Sequence, residues 1–367
     1  MKVLYISNFF DSTGWSHAAI DYVLALDSIG VDVTCRNIKL NDKNGEVPEK
    51  LWNLLNKKHT DYDIVIQQVL PHMMDYNGRV KNVGLFFSET SGFPTNNWTE
   101  KLNCMDAVIV STKKQENVCL LSGINTKTFT VPVPCDINKY TKYPALNIPK
   151  DGFVFYFIGE LSRRKNISAL IKAFHCEFDK EEPVSLLLKL SGNNNPDIIA
   201  NQAGNLIEEI KKGLKIYPEI SDYKKEIIIT DHCSDADIMS IHSSCDCFVM
   251  PSYGEGWNIP AFDALAMGNT PIYTSFAGMD EYLDISIGYP VDSQEDIMFG
   301  MFYSIPGIYT AKETGRSICI PKLQRAMREA YTEKEIRKIK SENGINSIYK
   351  YSYENVGKKF KRILENI

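Results

Sequence analysis

The chain has 367 residues and a mass of 41.7 kDa, with 44% apolar residues, 24% charged residues and a formal net charge of −5. At about 150 residues per domain this length excludes a single small module, and the composition excludes a disordered chain. The weakly acidic balance lacks the basic footprint of a nucleic-acid binder. No apolar run approaches the roughly 18 residues that span a bilayer. Nine cysteines without a C-x-x-C pair fit neither a disulfide framework nor a zinc site. They predict reduced thiols and a cytoplasmic protein.

From the N-terminus, short β-branched and aromatic runs alternate with longer amphipathic stretches, the pattern of βαβ units on a parallel sheet. KVLYI predicts the first strand, and Ala18, Tyr22, Ala25, Leu26 and Ile29 predict a helix over 15–29 that stops at Gly30. VDVTCRNI, YDIVIQQV, NVGLFFSE, DAVIVS and KTFTVPV follow as strands, with helices near 48–56 and 113–122. A proline-rich stretch from Pro132 to Asp151 reads as a hinge. A second alternation then begins with FVFYFIG and the helix ISALIKAFHCEF. It continues through VSLLLKL, a helix near 206–214, EIIIT, a helix after Ser234, CFVMP, a helix after Pro260, and TPIYT. The expected architecture is α/β, with two Rossmann-like doubly wound domains facing an inter-domain cleft, and ligands outside the carboxyl ends of the strands. The domains are placed at 1–145 and 151–345. The last segment, 311–367, holds 14 basic and 7 acidic residues. That excess suits a solvated helix face, or a peripheral membrane or polyanion contact.

The richest segment is PSYGEGWNIPAFDALAMG, residues 251–268, directly after CFVM. Asn258 and Pro260 predict a helix start and Gly268 its end, so a glycine-containing loop delivers a helix N-terminus, where unpaired N–H groups favour phosphate or sugar oxygens. Glu255 and Asp263 bracket that start, and paired carboxylates accept hydrogen bonds from vicinal hydroxyls. Complementing the helix dipole is their plainer role. SRRKN, residues 162–166, lies between a strand and a helix. There Arg163, Arg164 and Lys165 can neutralise a diphosphate, or stand as solvated loop cations.

GELSRRKNISALIKAF, residues 159–174, the stretch from Ile229 to Leu283, and the twin-domain pattern resemble retaining nucleotide-sugar glycosyltransferases of the GT-B fold, glycosyltransferase family 4 in particular. The resemblance implies that Glu255 binds donor-sugar hydroxyls and Asp263 the ribose, with the backbone of Gly256, Trp257, Asn258 and Ile259 approaching sugar and phosphate. It places the phosphate-binding pair on Arg164 and Lys165, and a glycine turn facing the diphosphate at Gly14. It also implies a C-terminal helix, about 351–367, packing back on the first domain. Asp263 stands where glutamate is usual, and Glu160 where many relatives carry arginine. No cofactor is expected beyond the nucleotide-diphosphate sugar as co-substrate, and no metal, since the DxD matches at Asp61 to Asp63 and Asp235 to Asp237 have plainer explanations as a strand flank and a helix cap. A GxGxxG turn and a Walker A loop are both absent.

The acceptor, a glycan, lipid or other hydroxyl compound, is expected against loops 11–17, 67–76 and 88–98. Trp15 and Trp98 are candidate sugar platforms, and His17 and Glu89 candidate bases or orienting groups. Two other readings stay open: a non-catalytic nucleotide-sugar-binding protein, and a transferase whose acceptor is nucleic acid.

Overall fold

The computed structural model describes residues 1–40, 45–93, 97–192, 195–302, 309–310 and 312–367. The chain divides into two compact units, one of Met1–Lys139, Ser304–Glu313 and Ile348–Ile367, the other of Tyr140–Tyr303 and Thr314–Ser347.

In the first unit β1 (Lys2–Ser7), α1 (Gly14–Ser28), β2 (Asp32–Asn37), α2 (Glu49–Leu55), β3 (Ile64–Gln68), β4 (Lys81–Leu85), α3 (Trp98–Asn103), β5 (Ala107–Val110), α4 (Lys113–Leu121) and β6 (Thr128–Thr130) follow one another. The six strands pair in parallel in the order β2-β1-β3-β4-β5-β6. Wholly buried β3 and β5 explain the unbroken apolar reading of their sequences, since helices cover both faces of such a sheet. The strand order reverses between β1 and β3, so the loops leaving these two strands flank a crevice at the carboxyl edge. α1 opens there, capped by the Thr13 side chain.

In the second unit β7 (Phe153–Glu160), α5 (Ile167–Glu177), β8 (Val184–Ser191), α6 (Pro196–Leu214), β9 (Ile227–Ile229), α7 (Asp235–Ser244), β10 (Cys247–Met250), α8 (Ile259–Ala266), β11 (Ile272–Thr274) and β12 (Tyr289–Val291) build a second parallel sheet, ordered β12-β11-β10-β7-β8-β9. Its reversal lies between β7 and β10, which pair directly at Cys247 with Phe155 and Phe248 with Tyr156. A hairpin of β13 (Ser293–Ile297) and β14 (Thr314–Ile318) and the helices α9 (Ile320–Thr332) and α10 (Lys334–Ser347) complete the unit.

α6 is ten residues longer at its start than the periodicity over 206–214 suggests. Asn195 caps it through Ile198 N and Pro196 occupies its first turn, a start signal that lies in a polar stretch. The hairpin has no sequence signature, because SQEDI is polar and largely exposed.

α11 (Tyr353–Leu364) belongs to the first unit and lies along α1. Phe360 meets Tyr22 edge-on at 5.7 Å, Tyr353 donates to Asp21 Oδ1 at 2.6 Å, and a Cβ on Gly357 would sit 2.5 Å from the carbonyl of Ala25. Three cations of the basic tail are held in ion pairs. Arg328 is held by Glu177 and Glu182, Lys322 by Asp292, and Lys358 by Glu354. No helix among the described residues is long and apolar enough to cross a membrane. None of the nine cysteines is in a disulfide among the described residues.

Gly357→Val should force α11 off α1 and cost about 1–3 kcal/mol, the usual penalty for overpacking a close contact. A denaturant melt that leaves the midpoint of the first unit unchanged would show that the close approach is not needed.

Candidate functional site

The residues at the second unit's reversal point form one cluster. β7 ends at Glu160, and Ser162 leads into a turn of 3-10 helix at Arg163–Lys165, closed by Asn166 in the left-handed conformation at φ 54°. β10 ends at Met250 and releases the loop 251–258. The two loops are stitched together: Tyr253 N donates to Arg164 O at 2.9 Å, and an Arg164 guanidinium nitrogen donates to Gly254 O at 2.6 Å. Lys165 Nζ lies 2.9 and 3.0 Å from the two carboxylate oxygens of Glu255, and Arg164 3.2 Å from Oε1. Glu255 is only 6% exposed.

Burial pushes the Glu255 carboxyl up, but the charges of Lys165 and Arg164 outweigh it, with the Ser252 hydroxyl adding to them, and the group is held below the usual carboxylate range. Arg164 and Lys165 thus both direct their charge at one largely buried carboxylate, and cations held at a strand end beside a helix start suit an anionic ligand. Arg163, the third cation of the run, does not join them. It is exposed, with its guanidinium 6.0 Å from the Phe299 ring.

The loop's path is fixed from below. Glu255 N donates to Ala277 O at 2.7 Å, and Gly278, at φ 109°, passes so close that a Cβ there would collide with the carbonyl of Glu255. The hydroxyl of Tyr282 lies 2.9 and 3.0 Å from the carbonyl oxygens of Trp257 and Asn258, which share its one proton. Trp257 is buried against Tyr282 and Phe262, so its side chain is core and only its backbone faces the loop. Asn258, left-handed at φ 70°, caps α8 through Ala261 N at 3.0 Å, while its buried Nδ2 has no hydrogen-bond partner among the described residues. A buried donor with no partner at a helix start fits an oxygen-bearing ligand. Gly256 is buried beside it, and Ile259 is the first residue of α8. Asp263 is buried one turn further along α8 and accepts from the hydroxyl of Tyr140 at 2.7 Å.

In the first unit, Gly14 begins α1 at the β1/β3 reversal point. Trp15 is tied down: its indole N–H donates to Gln68 O at 3.3 Å, Gln68 Nε2 donates to Trp15 O at 3.0 Å, and its ring meets Phe87 edge-on at 5.0 Å. His17 is half-buried in the first turn of α1, and Glu89 is half-buried four residues beyond β4. Trp98 corrects the expectation of a sugar platform. At 3% exposure it is packed among Phe86, Phe93 and Tyr309 and has no face to offer a ligand. Of the acceptor loop 88–98, residues 94–96 lie outside the described residues.

Both DxD matches have structural employment. Asp61 pairs with Lys2 at 2.6 Å, Asp63 accepts from Lys2 N at 2.7 Å, and Asp237 completes a capping box with Ser234. A concavity of about 740 Å³ in the first unit, lined by Ser28, Cys135, Asn138, Tyr349 and Ser352 among others, contains none of the candidate site residues.

Residues 139–297, which contain Arg164, Lys165, Glu255 and Asp263, match the family described as glycosyl transferases group 1. The fold is GT-B. Across 100% of this chain it superposes on sucrose-phosphate synthase from Thermosynechococcus elongatus with a TM-score of 0.68 at 14% identity, covering 98% of that chain. HepE from Anabaena, solved in complex with UDP and glucose, superposes with a TM-score of 0.65 at 12% identity and full coverage of both chains. Among curated proteins, the serotype-specific mannosyltransferase WbdA of Escherichia coli is 24% identical over 123 residues, 33% of this chain and 13% of that protein. Mannosylfructose-phosphate synthase of Agrobacterium fabrum is 23% identical over 129 residues, 35% of this chain and 27% of its own. The chain therefore matches only a short part of these curated relatives.

Sequence reading missed three residues that shape the GT-B cluster. Gly278 carried a signal, a glycine in SFAGMDE just past a strand end, whereas Tyr282 and Tyr140 look like ordinary aromatics until the fold brings them in.

Because the folded-state pKa of Glu255 is depressed, its stabilising contribution is fully present above the unfolded value of about 4.3 and is lost as pH falls through the lower folded value. Glu255→Gln should destabilise the second unit by about 3 kcal/mol at pH 7, the cost of breaking a buried pair, with the gap to wild type closing below about pH 4. A gap that is constant across pH 3 to 7 would show that the carboxylate is not held ionised by its neighbours.

Proposed function

We propose that the protein is a retaining glycosyltransferase that moves a sugar from a nucleotide-diphosphate donor to an acceptor hydroxyl. The observation that carries this reading is the convergence of Arg164 and Lys165 on buried Glu255, in the loop that leads to the start of α8 and to the buried Asn258 amide nitrogen, which has no hydrogen-bond partner among the described residues. The group 1 match over these same residues and the sugar-transferring relatives support it.

In this reading the second unit holds the donor. Arg164 and Lys165 bind the diphosphate, the backbone from Gly256 to Ile259 approaches sugar and phosphate, Glu255 accepts from sugar hydroxyls, and Asp263 binds the ribose. As the bond from the anomeric carbon to the diphosphate oxygen breaks, negative charge grows on the leaving group. The two fixed cations and the α8 dipole are already oriented to stabilise it. The acceptor oxygen bonds to the anomeric carbon on the face the diphosphate leaves, and its proton passes to the departing phosphate oxygen. Retention follows from that same-face exchange, and no protein base is required. In the first unit, Gly14 starts α1, whose N-terminal N–H groups suit an anionic oxygen, and Trp15, His17 and Glu89 are the acceptor-side candidates. The cations supply the charge that a metal would otherwise bring.

The test is transfer from UDP-, GDP- and ADP-sugars to a panel of glycan and lipid acceptors with chelator present, with the product's anomeric configuration read by NMR. Transfer with retention, reduced at least about tenfold in Glu255→Ala, is expected, since the loss removes a contact to the reacting sugar. Donor binding without transfer or hydrolysis on any acceptor would favour a binding protein instead, and undiminished turnover in the variant would remove Glu255 from the site.

A further inference from the structure

β14 is docked on the loop that carries Glu255. Arg316 N donates to Tyr253 O at 2.6 Å, and Gly315 passes so close that a Cβ there would lie 2.7 Å from the same carbonyl oxygen. Main chain makes this contact, so it fixes the place of residue 316 whatever side chain stands there. The Arg316 side chain is tied down separately: Nε donates to Ser293 Oγ at 3.0 Å, Nη2 donates to Ser293 O at 2.6 Å, and the guanidinium lies 5.5 Å from the centroid of the Phe276 ring. Ser293 Oγ in turn donates to Ser275 O at 2.7 Å, and two residues further on Ala277 O accepts from Glu255 N. Arg316 is therefore joined to the Glu255 loop along two routes, through Tyr253 and through the segment after β11.

No carboxylate answers this charge. Glu295 stands opposite Arg316 in the hairpin register, yet its Oε1 accepts from the Thr314 hydroxyl at 2.5 Å, and Arg316 makes no ion pair among the described residues. A guanidinium carries five N–H donors, of which Ser293 takes two; the others have no protein partner among the described residues. Arg316 is half-buried, held along one edge and stacked on a ring, with its remaining donors uncommitted. Such a fixed fork matches the paired oxygens of a carboxylate or phosphate.

We infer that Arg316 is a binding residue for an oxyanion carried by a substrate sugar, and that it selects the charged sugar over its neutral counterpart. The inference rests on the donor reading of the Glu255 loop, which brings the reacting sugar to this edge of the second unit. The same fork recognises the carboxylate of a uronic acid donor and the phosphate of a sugar-phosphate acceptor, and the experiment separates these two sources.

Calorimetric titration of wild type with UDP, GDP and ADP selects the nucleotide. Wild type, Arg316→Gln and Arg316→Lys are then compared on two pairs of ligands in the gluco, manno and galacto series: the nucleotide's hexose against its hexuronate conjugate, and the free hexose against its 6-phosphate with the nucleotide bound. In wild type one pair should favour the charged form by at least about tenfold, and that pair names the source of the oxyanion. Arg316→Gln should erase the preference, and Arg316→Lys should restore only part of it, because an ammonium lacks the paired donors. Both variants should bind the bare nucleotide within about twofold of wild type, since the docking to Tyr253 is made by main chain and distant sites act independently. Absence of a charged-sugar preference in both pairs, or a preference that survives Arg316→Gln, overturns the inference and leaves the donor reading standing. Equal loss of bare nucleotide and charged sugar in Arg316→Gln also overturns it, because the side chain would then only support the loop. Failure of all three nucleotides to bind wild type overturns the donor reading, and this inference with it.

Discussion

The ion cluster of Glu255 with Lys165 and Arg164 organises the second unit's ligand edge. A carboxylate at 6% exposure is expensive to desolvate, and it stays ionised only because two cations from the neighbouring strand's loop face it at 2.9 to 3.2 Å. The cluster therefore does two things. It ties the loop after β7 to the loop after β10, and it fixes two cations at the carboxyl ends of these neighbouring strands.

Everything beneath the cluster serves that arrangement. Strand order brings β7 and β10 side by side at the reversal point, so loops 90 residues apart in sequence emerge next to each other. Gly278 lets the backbone after β11 approach Glu255 where any side chain would collide, and Asn166 and Asn258 adopt left-handed conformations that asparagine tolerates better than most residues. Tyr282 holds the carbonyls at the start of α8. The backbone that would meet a donor is thus fixed before any ligand arrives, which is the condition for electrostatic stabilisation without reorganisation.

Much of this was legible in the sequence because parallel strands buried on both faces read as apolar runs, and because Ser234, Pro260 and Gly268 carry cap chemistry that depends on local backbone alone. The convergence of SRRKN with PSYGEGWN was visible as two strand-end loops in one resemblance. What escaped depends on tertiary placement. Arg163 reads like its neighbours in RRK but faces Phe299. Trp98 reads like a surface platform but completes a core. Tyr140 sits in linker chemistry and reaches Asp263 only through the fold. The β13–β14 hairpin is polar on both faces and carries no alternation to reveal it.

The central claim of the proposal is that Arg164 and Lys165, the two cations facing Glu255, receive the diphosphate of a nucleotide. The most direct measurement is titration of wild type, Arg164→Ala and Lys165→Ala with a nucleoside diphosphate and the matching monophosphate, in chelator and at two salt concentrations. Wild type should prefer the diphosphate by at least about tenfold, with each cation removal erasing most of that preference, as expected for charge-assisted contacts to the second phosphate. Equal affinity for the two nucleotides in wild type, or a preference undiminished in both variants, would contradict the account.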